Sequence, residues 1–410
     1  MDYGKFYCKK GKFMTSDQRK KLALLMLNMF IAVGSFGIII PIIPAYLKEI
    51  GQGGTAAGLI IAIFAFAQFL VSPIGGKWTD KYGRRPLINI GLLTLAISMF
   101  IFYFADSIWL LYLSRAIGGI GCAFLIPAIF AYVADITTMD QRAKGNSFIS
   151  ASMSLGIVIG PGIGGFLADF GLKTPLLVSA VVGLLAFIVS YFTLAESQEE
   201  KVEIPQDENS SMVKDILLSV KKPFFIPLII TLIMSFGLMS YETVLGLYVD
   251  DKFGATPQEI AFMVTSTGLV GVIMQLFVVD RLVKAIGEVN VLKLFLVVTA
   301  SGFFLSIIAG SYTMFFAISL LIFLATSILR PVLTTLISKM AGNEQGFAMG
   351  MNNAYMSIGN IMGPLLAGAL YDIDILYPFI AGLIILIFTI ILTFMWKGIK
   401  IQKAALKGGH

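Results

Sequence analysis

The sequence predicts an all-α membrane protein of twelve transmembrane helices built from two related halves, and three observations carry that expectation. Hydrophobic residues make up 57% of the 410 and charged residues 13%, more apolar surface than a soluble chain of this length can hide. The charges gather in short stretches between runs of roughly 18 to 25 residues that hold few or none, which is the length a helix needs to cross a bilayer. Finally, residues 153–169 read MSLGIVIGPGIGGFLAD and residues 356–372 read MSIGNIMGPLLAGALYD. Both copies keep Met-Ser-x-Gly-x-x-x-Gly-Pro-x-x-x-Gly-x-x-x-Asp without a gap, as an internal duplication does.

Taken in order, residues 1–20 form a polar, basic tail in which Met14 is a second candidate start. No small-residue cleavage site follows the first apolar run, so no removable signal peptide is expected. Six spans follow within 21–194, at about 21–47, 55–76, 86–105, 108–134, 143–168 and 174–194. Residues 195–222 hold Glu196, Glu199, Glu200, Glu203, Asp207 and Glu208 among few hydrophobics, and read as a cytoplasmic linker. Both a plain connector and a regulatory segment fit that composition. Six more spans occupy 223–397, at about 224–249, 258–279, 290–310, 312–338, 345–370 and 376–396, before a tail at 398–410. Of the 30 Lys and Arg residues, alternation of sides leaves only Lys48, Lys173 and Lys252 opposite the termini and Arg115 and Arg330 inside spans. Both termini are therefore expected in the cytoplasm, with an even number of spans. Weaker echoes support the duplication: Ser35-Phe36-Gly37 returns as Ser235-Phe236-Gly237, and Asp80-Lys81 as Asp280-Arg281.

Composition also excludes chemistry. The two cysteines, Cys8 and Cys122, offer no disulfide framework, and the one histidine is His410, so neither a His/Cys metal site nor a His-dependent triad is supported. No Gly-x-x-x-x-Gly-Lys-Ser/Thr run is present to bind nucleotide phosphates. No metal, cofactor or enzymatic activity is expected, and the net charge of +6 follows from the sidedness of Lys and Arg rather than from nucleic-acid binding.

A few residues stand out against the apolar background. The stretch after the second span contains Gly76, Asp80, Lys81, Gly83, Arg84 and Arg85. Glycines permit a tight turn there, and Asp80 can pair with a cation or meet the positive end of a helix. A gating latch and a plain basic anchor are the two readings. In the fifth span Ser152, Gly156, Gly160, Gly164 and Ala168 recur every fourth residue, a small-residue face that lets another backbone come close; packing against a partner from the other half is expected. Glu242 is the one carboxylate placed well inside a span, about seven residues or roughly 10 Å from its end. A charge at such depth costs about 2.5–3.5 kcal/mol on insertion scales, which makes the acid a functional candidate; the alternative is a protonated acid bonded to a neighbouring helix. Arg115 and Arg330 are permanent cations within spans and require partners or a wet cavity; for Arg115, capping a carbonyl exposed by nearby glycines is the alternative. Gln68 and Asn352 face either a cavity or another helix. Met239 shares a face with Glu242 and offers an adaptable apolar surface.

Gly76-x-x-x-Asp80-Lys81-x-Gly83-Arg84-Arg85 resembles the loop signature of the major facilitator superfamily. Residues 156–165, with Gly156, Gly160, Pro161, Gly164 and Gly165, resemble the fifth-helix motif of its drug:proton antiporters. Residues 235–243, Arg330-Pro331, and Gln345-Gly346-Phe347-Ala348 followed by Asn352 look most like its Gram-positive multidrug pumps for fluoroquinolones and cationic dyes. The resemblance implies two pseudo-symmetric six-helix bundles rocking about a central cavity, in a bacterial cytoplasmic membrane. It implies Glu242 and Arg115 in proton coupling, and Gln68, Met239, Glu242, Arg330 and Asn352 at a drug site. The implied partners are small-molecule drugs, protons and the lipid bilayer, with the chain acting as a monomer. Export of a single metabolite and a non-transporting sensor remain alternatives on the same fold. One departure is visible: the family pattern has an aspartate three residues before the arginine, where this chain has Ser327.

Overall fold

The computed structural model describes residues 15–197, 212–342 and 344–396. Cys8, Met14, His410, the tail at 398–410 and the linker acids Glu199, Glu200, Glu203, Asp207 and Glu208 lie outside the described residues. Among those described, all regular structure is helical. The first half comprises α1 (Ser16–Ile39), α2 (Ile43–Glu49), α3 (Gly54–Tyr82), α4 (Arg84–Phe104), α5 (Ile108–Ile136), α6 (Met139–Ala168) and α7 (Thr174–Thr193). The second comprises α8 (Met212–Ser219), α9 (Phe225–Phe253), α10 (Pro257–Phe277), α11 (Val279–Ile286), α12 (Glu288–Ile308), α13 (Tyr312–Ala341), α14 (Gln345–Ile373) and α15 (Tyr377–Met395). Eleven spans, with α1 and α2 forming one, are long and apolar enough to cross a membrane. The twelfth expected span, α14, is 29 residues long but too polar to join them by composition.

Local chemistry sets several boundaries. Thr15 and Gln18 cap α1 reciprocally, and Thr256 and Glu259 do the same for α10, which has Pro257 in its first turn. Pro41 and Pro44 cannot donate backbone hydrogen bonds, and between α1 and α2 the chain tightens into a 3-10 turn over Ile40–Ile42.

Two sequence expectations change here. The stretch expected to turn at Gly75 and Gly76 is helical, because α3 continues to Tyr82 and only Gly83 (φ 103°) reverses the chain. Gly75 serves close packing instead: a side chain on it would strike the Ala123 carbonyl of α5. In addition, the end of the expected linker is helix α8, where Ser219 hydrogen-bonds the Tyr355 hydroxyl at 2.9 Å and Ile216 packs against a buried cluster.

The duplicated stretches occupy equivalent places. On α6, Gly156, Gly160 and Gly164 meet Gly34, Gly37 and Ile38 of α1, while Gly162 and Gly165 meet Thr265 and Ala261 of α10. On α14, Gly359 and Gly363 meet α9 backbone at Leu232 and Phe236, while Pro364 and Gly368 meet Gly58 and Gly54 of α3. The four-residue stripe of α6 therefore packs within its own half, contrary to the expected partner from the other half. The contact across halves uses the neighbouring face, because successive residues on a helix point about 100° apart.

The buried apolar groups show where the halves join. One cluster unites Ile39, Tyr46, Ala57, Met99 and Leu111 of the first half with Tyr241, Leu245, Ile260, Phe315 and Phe379 of the second. Toward the face that carries Ser16 and Met395, here the terminal face, the first half has its own cluster around Leu25, Leu92 and Ile129, and the second has another around Phe224, Ile337 and Tyr355. At the opposite, far face, polar contacts bridge the halves. Lys48 pairs with Asp250 at 2.8 Å and Asp251 at 2.9 Å, Asp372 accepts from the Gly54 and Thr55 N–H groups at 2.6 and 2.9 Å, and Gln258 donates to Asp169. Asp372 thus sits on the exposed amides that begin α3, where a carboxylate is favoured. The far face is closed.

Candidate functional site

Two neighbouring spaces lie along α9. The first is a cavity of about 250 Å³ within the second half, between α9, α13 and α14. Arg330, Asn352, Asn353 and Asn360 line it together with four Ser and Thr hydroxyl residues, and Met234, Met239, Met349 and Met356 form much of its apolar wall. The second is a narrow space of about 30 Å³ where the halves meet, lined by Phe36, Ile40, Ile43, Pro44 and Ile61 from the first half and Met239, Glu242, Thr243 and Gly246 from α9. Met239 lines both, so it stands between them.

The residues on α9 reach these spaces because Thr231, Met234, Ser235, Leu238, Met239 and Glu242 follow one another at helical three- and four-residue steps. Since α9 runs to Phe253, Glu242 lies about 16 Å from that end, deeper than the sequence span implied. It is half-buried and makes no hydrogen bond or ion pair among the described residues. Arg330 is the charged group near enough to act on it electrostatically, with no direct ion pair between them. Arg330 Nη2 instead approaches Met356 Sδ at 2.9 Å. Asn352 does both things that its sequence position allowed, lining the cavity and accepting from Thr231 Oγ1 at 3.2 Å.

Other expected members stand apart. Gln68 lines neither space; its backbone packs on Gly119 of α5. Arg115 is 1% exposed, and its partners are weak: Nη2 lies 3.3 Å from Ser98 Oγ and 3.4 Å from Ser114 Oγ, and Nε has no hydrogen-bond partner. The rings of Phe102 and Phe64 supply the rest, at 4.9 and 5.9 Å from the guanidinium carbon, as cation–π contacts do. Phe64 in turn packs on Phe36 with ring centroids 5.0 Å apart, and Phe36 lines the space of Glu242. Two aromatic rings therefore separate Arg115 from Glu242. Ser327 bonds the Phe323 carbonyl of its own helix and faces Gly271 of α10, away from both spaces.

At the terminal face, Arg84 pairs with Asp80 at 3.3 Å and Asp135 at 2.9 Å. The carboxylate that caps the start of α4 is Glu196, which accepts from the Arg84 and Arg85 N–H groups at 2.9 and 3.2 Å. Lys81 lies over the Tyr82 ring, and Gly76 faces open space. Sequence reasoning missed Asn353, Asn360, Met349 and Met356. With Asn352 they form one helical stripe along α14, a signal available in their spacing.

Comparison with known proteins gives one pattern. The family model described as Major Facilitator Superfamily matches residues 25–252 and again 227–408. The chain is 40% identical to Multidrug resistance protein 2 of Bacillus subtilis (strain 168) over 394 residues, 95% of this chain and 98% of the relative. It is 34% identical to Quinolone resistance protein NorA of Staphylococcus aureus over 359 residues, 88% and 92% of the two chains. Among solved structures, a bacterial homologue of the human lysosomal transporter Spinster superposes with a TM-score of 0.77 at 15% identity, covering 93% of this chain and 97% of that one.

Proposed function

The chain belongs to the major facilitator superfamily, a family of membrane transporters rather than enzymes, and from that footing we propose that it is a proton-coupled multidrug efflux antiporter. The observation that carries the reading is the position of Glu242. It occupies the narrow space where the two halves touch, one methionine away from the larger cavity. An acid there can hold a proton while the far face is open and release it once the terminal face opens, provided that drug and proton do not occupy the site together. The relatives named for multidrug and quinolone resistance support the substrate class.

The cavity chemistry fits amphipathic drugs. Four methionines give a pliant apolar wall that adapts to different shapes. Arg330 and three asparagines offer donors to a carboxylate or carbonyl, as quinolones carry, while Glu242 offers a countercharge to a cationic drug or dye. With the terminal face cytoplasmic, as the Lys/Arg distribution indicates, the closed far face leaves the cavity facing the cytoplasm, where the drug binds. One proton moving inward releases about 2.3 kcal/mol per 100 mV, enough for a gradient of some tens-fold in a drug without net charge; exchange for a monocation is electroneutral and draws on the pH gradient alone.

Reconstituted vesicles with an imposed inward proton gradient test the proposal. The wild-type chain should drive dye and quinolone efflux, and Glu242→Gln should lower gradient-driven efflux at least about tenfold while retaining binding of a quinolone, whose carboxylate the Arg330 end of the cavity takes. Wild-type efflux that ignores the gradient, or a Glu242→Gln variant that keeps it, would refute antiport through this residue. Transport of only one compound would instead support a dedicated exporter.

A further inference from the structure

We propose that the groove between α4 and α7 at the terminal face is a binding site for an anionic phospholipid, with Arg85 taking the phosphate and Asn89 the ester region. The groove measures about 270 Å³ and is separate from the two spaces above. Arg85, Pro86, Asn89, Ile90 and Leu93 line one side, and Phe187 and Tyr191 the other. Its mouth opens on the outer surface of the bundle, where Ile90 is 47% and Tyr191 49% exposed.

The polar groups in this groove are incompletely used by the protein. Asn89 is 7% exposed, yet its Oδ1 is buried with no partner and its amide makes no hydrogen bond among the described residues. A buried amide left so is costly, and a ligand in the groove supplies the missing partner. Arg85 Nη2 donates to the Tyr191 carbonyl at 2.7 Å and its guanidinium lies over the Tyr191 ring at 5.4 Å. Arg85 Nε, however, is buried without a hydrogen-bond partner. Glu196 meets the Arg85 backbone N–H, and no carboxylate among the described residues forms an ion pair with the guanidinium. A phosphate fits this fork by charge and geometry.

Depth and lining select a lipid over a soluble phosphate. Trp78, Tyr82 and Tyr191 are exposed aromatic residues near this level, as at a membrane interface. Asn89 lies about 6 Å further along α4 than Arg85, the direction in which ester groups follow a phosphate. Beyond it, Ile90, Leu93 and Phe187 offer an apolar floor suited to an acyl chain. Basic pockets between transmembrane helices bind anionic headgroups in this way.

Native mass spectrometry of the full-length chain in detergent, titrated with phosphatidylglycerol or phosphatidylcholine, tests the site. Wild-type protein should retain phosphatidylglycerol in preference. Arg85→Gln should weaken that retention about tenfold and leave phosphatidylcholine unchanged, and Leu93→Trp, which fills the groove without altering charge, should weaken both. Glycerol phosphate, which has the charge but no chains, should not compete. Unchanged phosphatidylglycerol binding in either variant overturns the proposal, as does an equal loss of both lipids in Arg85→Gln. Competition by glycerol phosphate at matched concentration would assign the site to a soluble phosphate and overturn the lipid reading.

Discussion

Glu242 and Arg115 are the two charges that the apolar background most exposes to view, and their surroundings treat them differently. Glu242 faces a space between the halves, so its environment changes whenever they move. Arg115 is enclosed within one half by two rings and two hydroxyls, an environment that such motion need not disturb. Lysine in its place keeps the charge but loses the flat face that stacks on Phe64 and Phe102. Arg115→Lys should therefore destabilise the protein by about 1–2 kcal/mol, read as a lower thermal unfolding temperature in detergent. The position of Glu242 inside a span was legible because the apolar run continues on both sides of the carboxylate, although its depth was underestimated because α9 runs on to Phe253. The cavity wall was less so. Gln68 and Asn352 look equivalent in sequence, each a polar amide within a span, yet only Asn352 lines the cavity. Periodicity shows that residues share a face; it does not show what the face looks onto.

The two faces of α6 separate stability from conformation within neighbouring residues. A side chain on Gly164 would run into the Ile38 carbonyl of α1, inside the first half, whereas one on Gly165 would meet Ala261 of α10, across the halves. Gly164→Val should cost about 1–3 kcal/mol of stability through overpacking and lower the yield of folded protein. Gly165→Val should leave the unfolding temperature nearly unchanged and favour an open far face, seen as increased labelling of a cysteine introduced at Thr265. The glycine spacing revealed the stripe of α6 but not its partner, because close backbone approach demands small residues whichever helix supplies the other side. Gly75 likewise serves close packing where the sequence suggested a turn, and α3 continues through both Gly75 and Gly76.

For the molecule as a whole, the duplicated stretches were legible as related segments, and α6 and α14 take matching positions. The conformational state was not legible, since the contacts that close the far face are few and individually small. Lys48 is half exposed in its pairs with Asp250 and Asp251, so screening keeps that contribution at about 0–1 kcal/mol. Asp372, bonded to two backbone amides at the start of α3, contributes more. Lys48→Met should shift the closed-to-open ratio by no more than about fivefold, and Asp372→Ala should shift it further. Spin-label distances measured across the far face check both; equal effects would show that the Asp372 contact is no stronger than the Lys48 pairs.

The polarity of α14 has a consequence for how the protein is made. Its cavity face carries Asn352, Asn353, Met356 and Asn360, and it is the least apolar of the expected spans. The insertion machinery releases helices into lipid according to their own hydrophobicity, so α14 is expected to depend on its neighbours to enter. A chain truncated after α14 should leave it incompletely inserted, and adding α15, whose 19 residues are strongly apolar, should restore insertion in a glycosylation-mapping assay. The polar stripe that lines the cavity thus makes α14 a late guest in its own membrane, held there by the company it keeps.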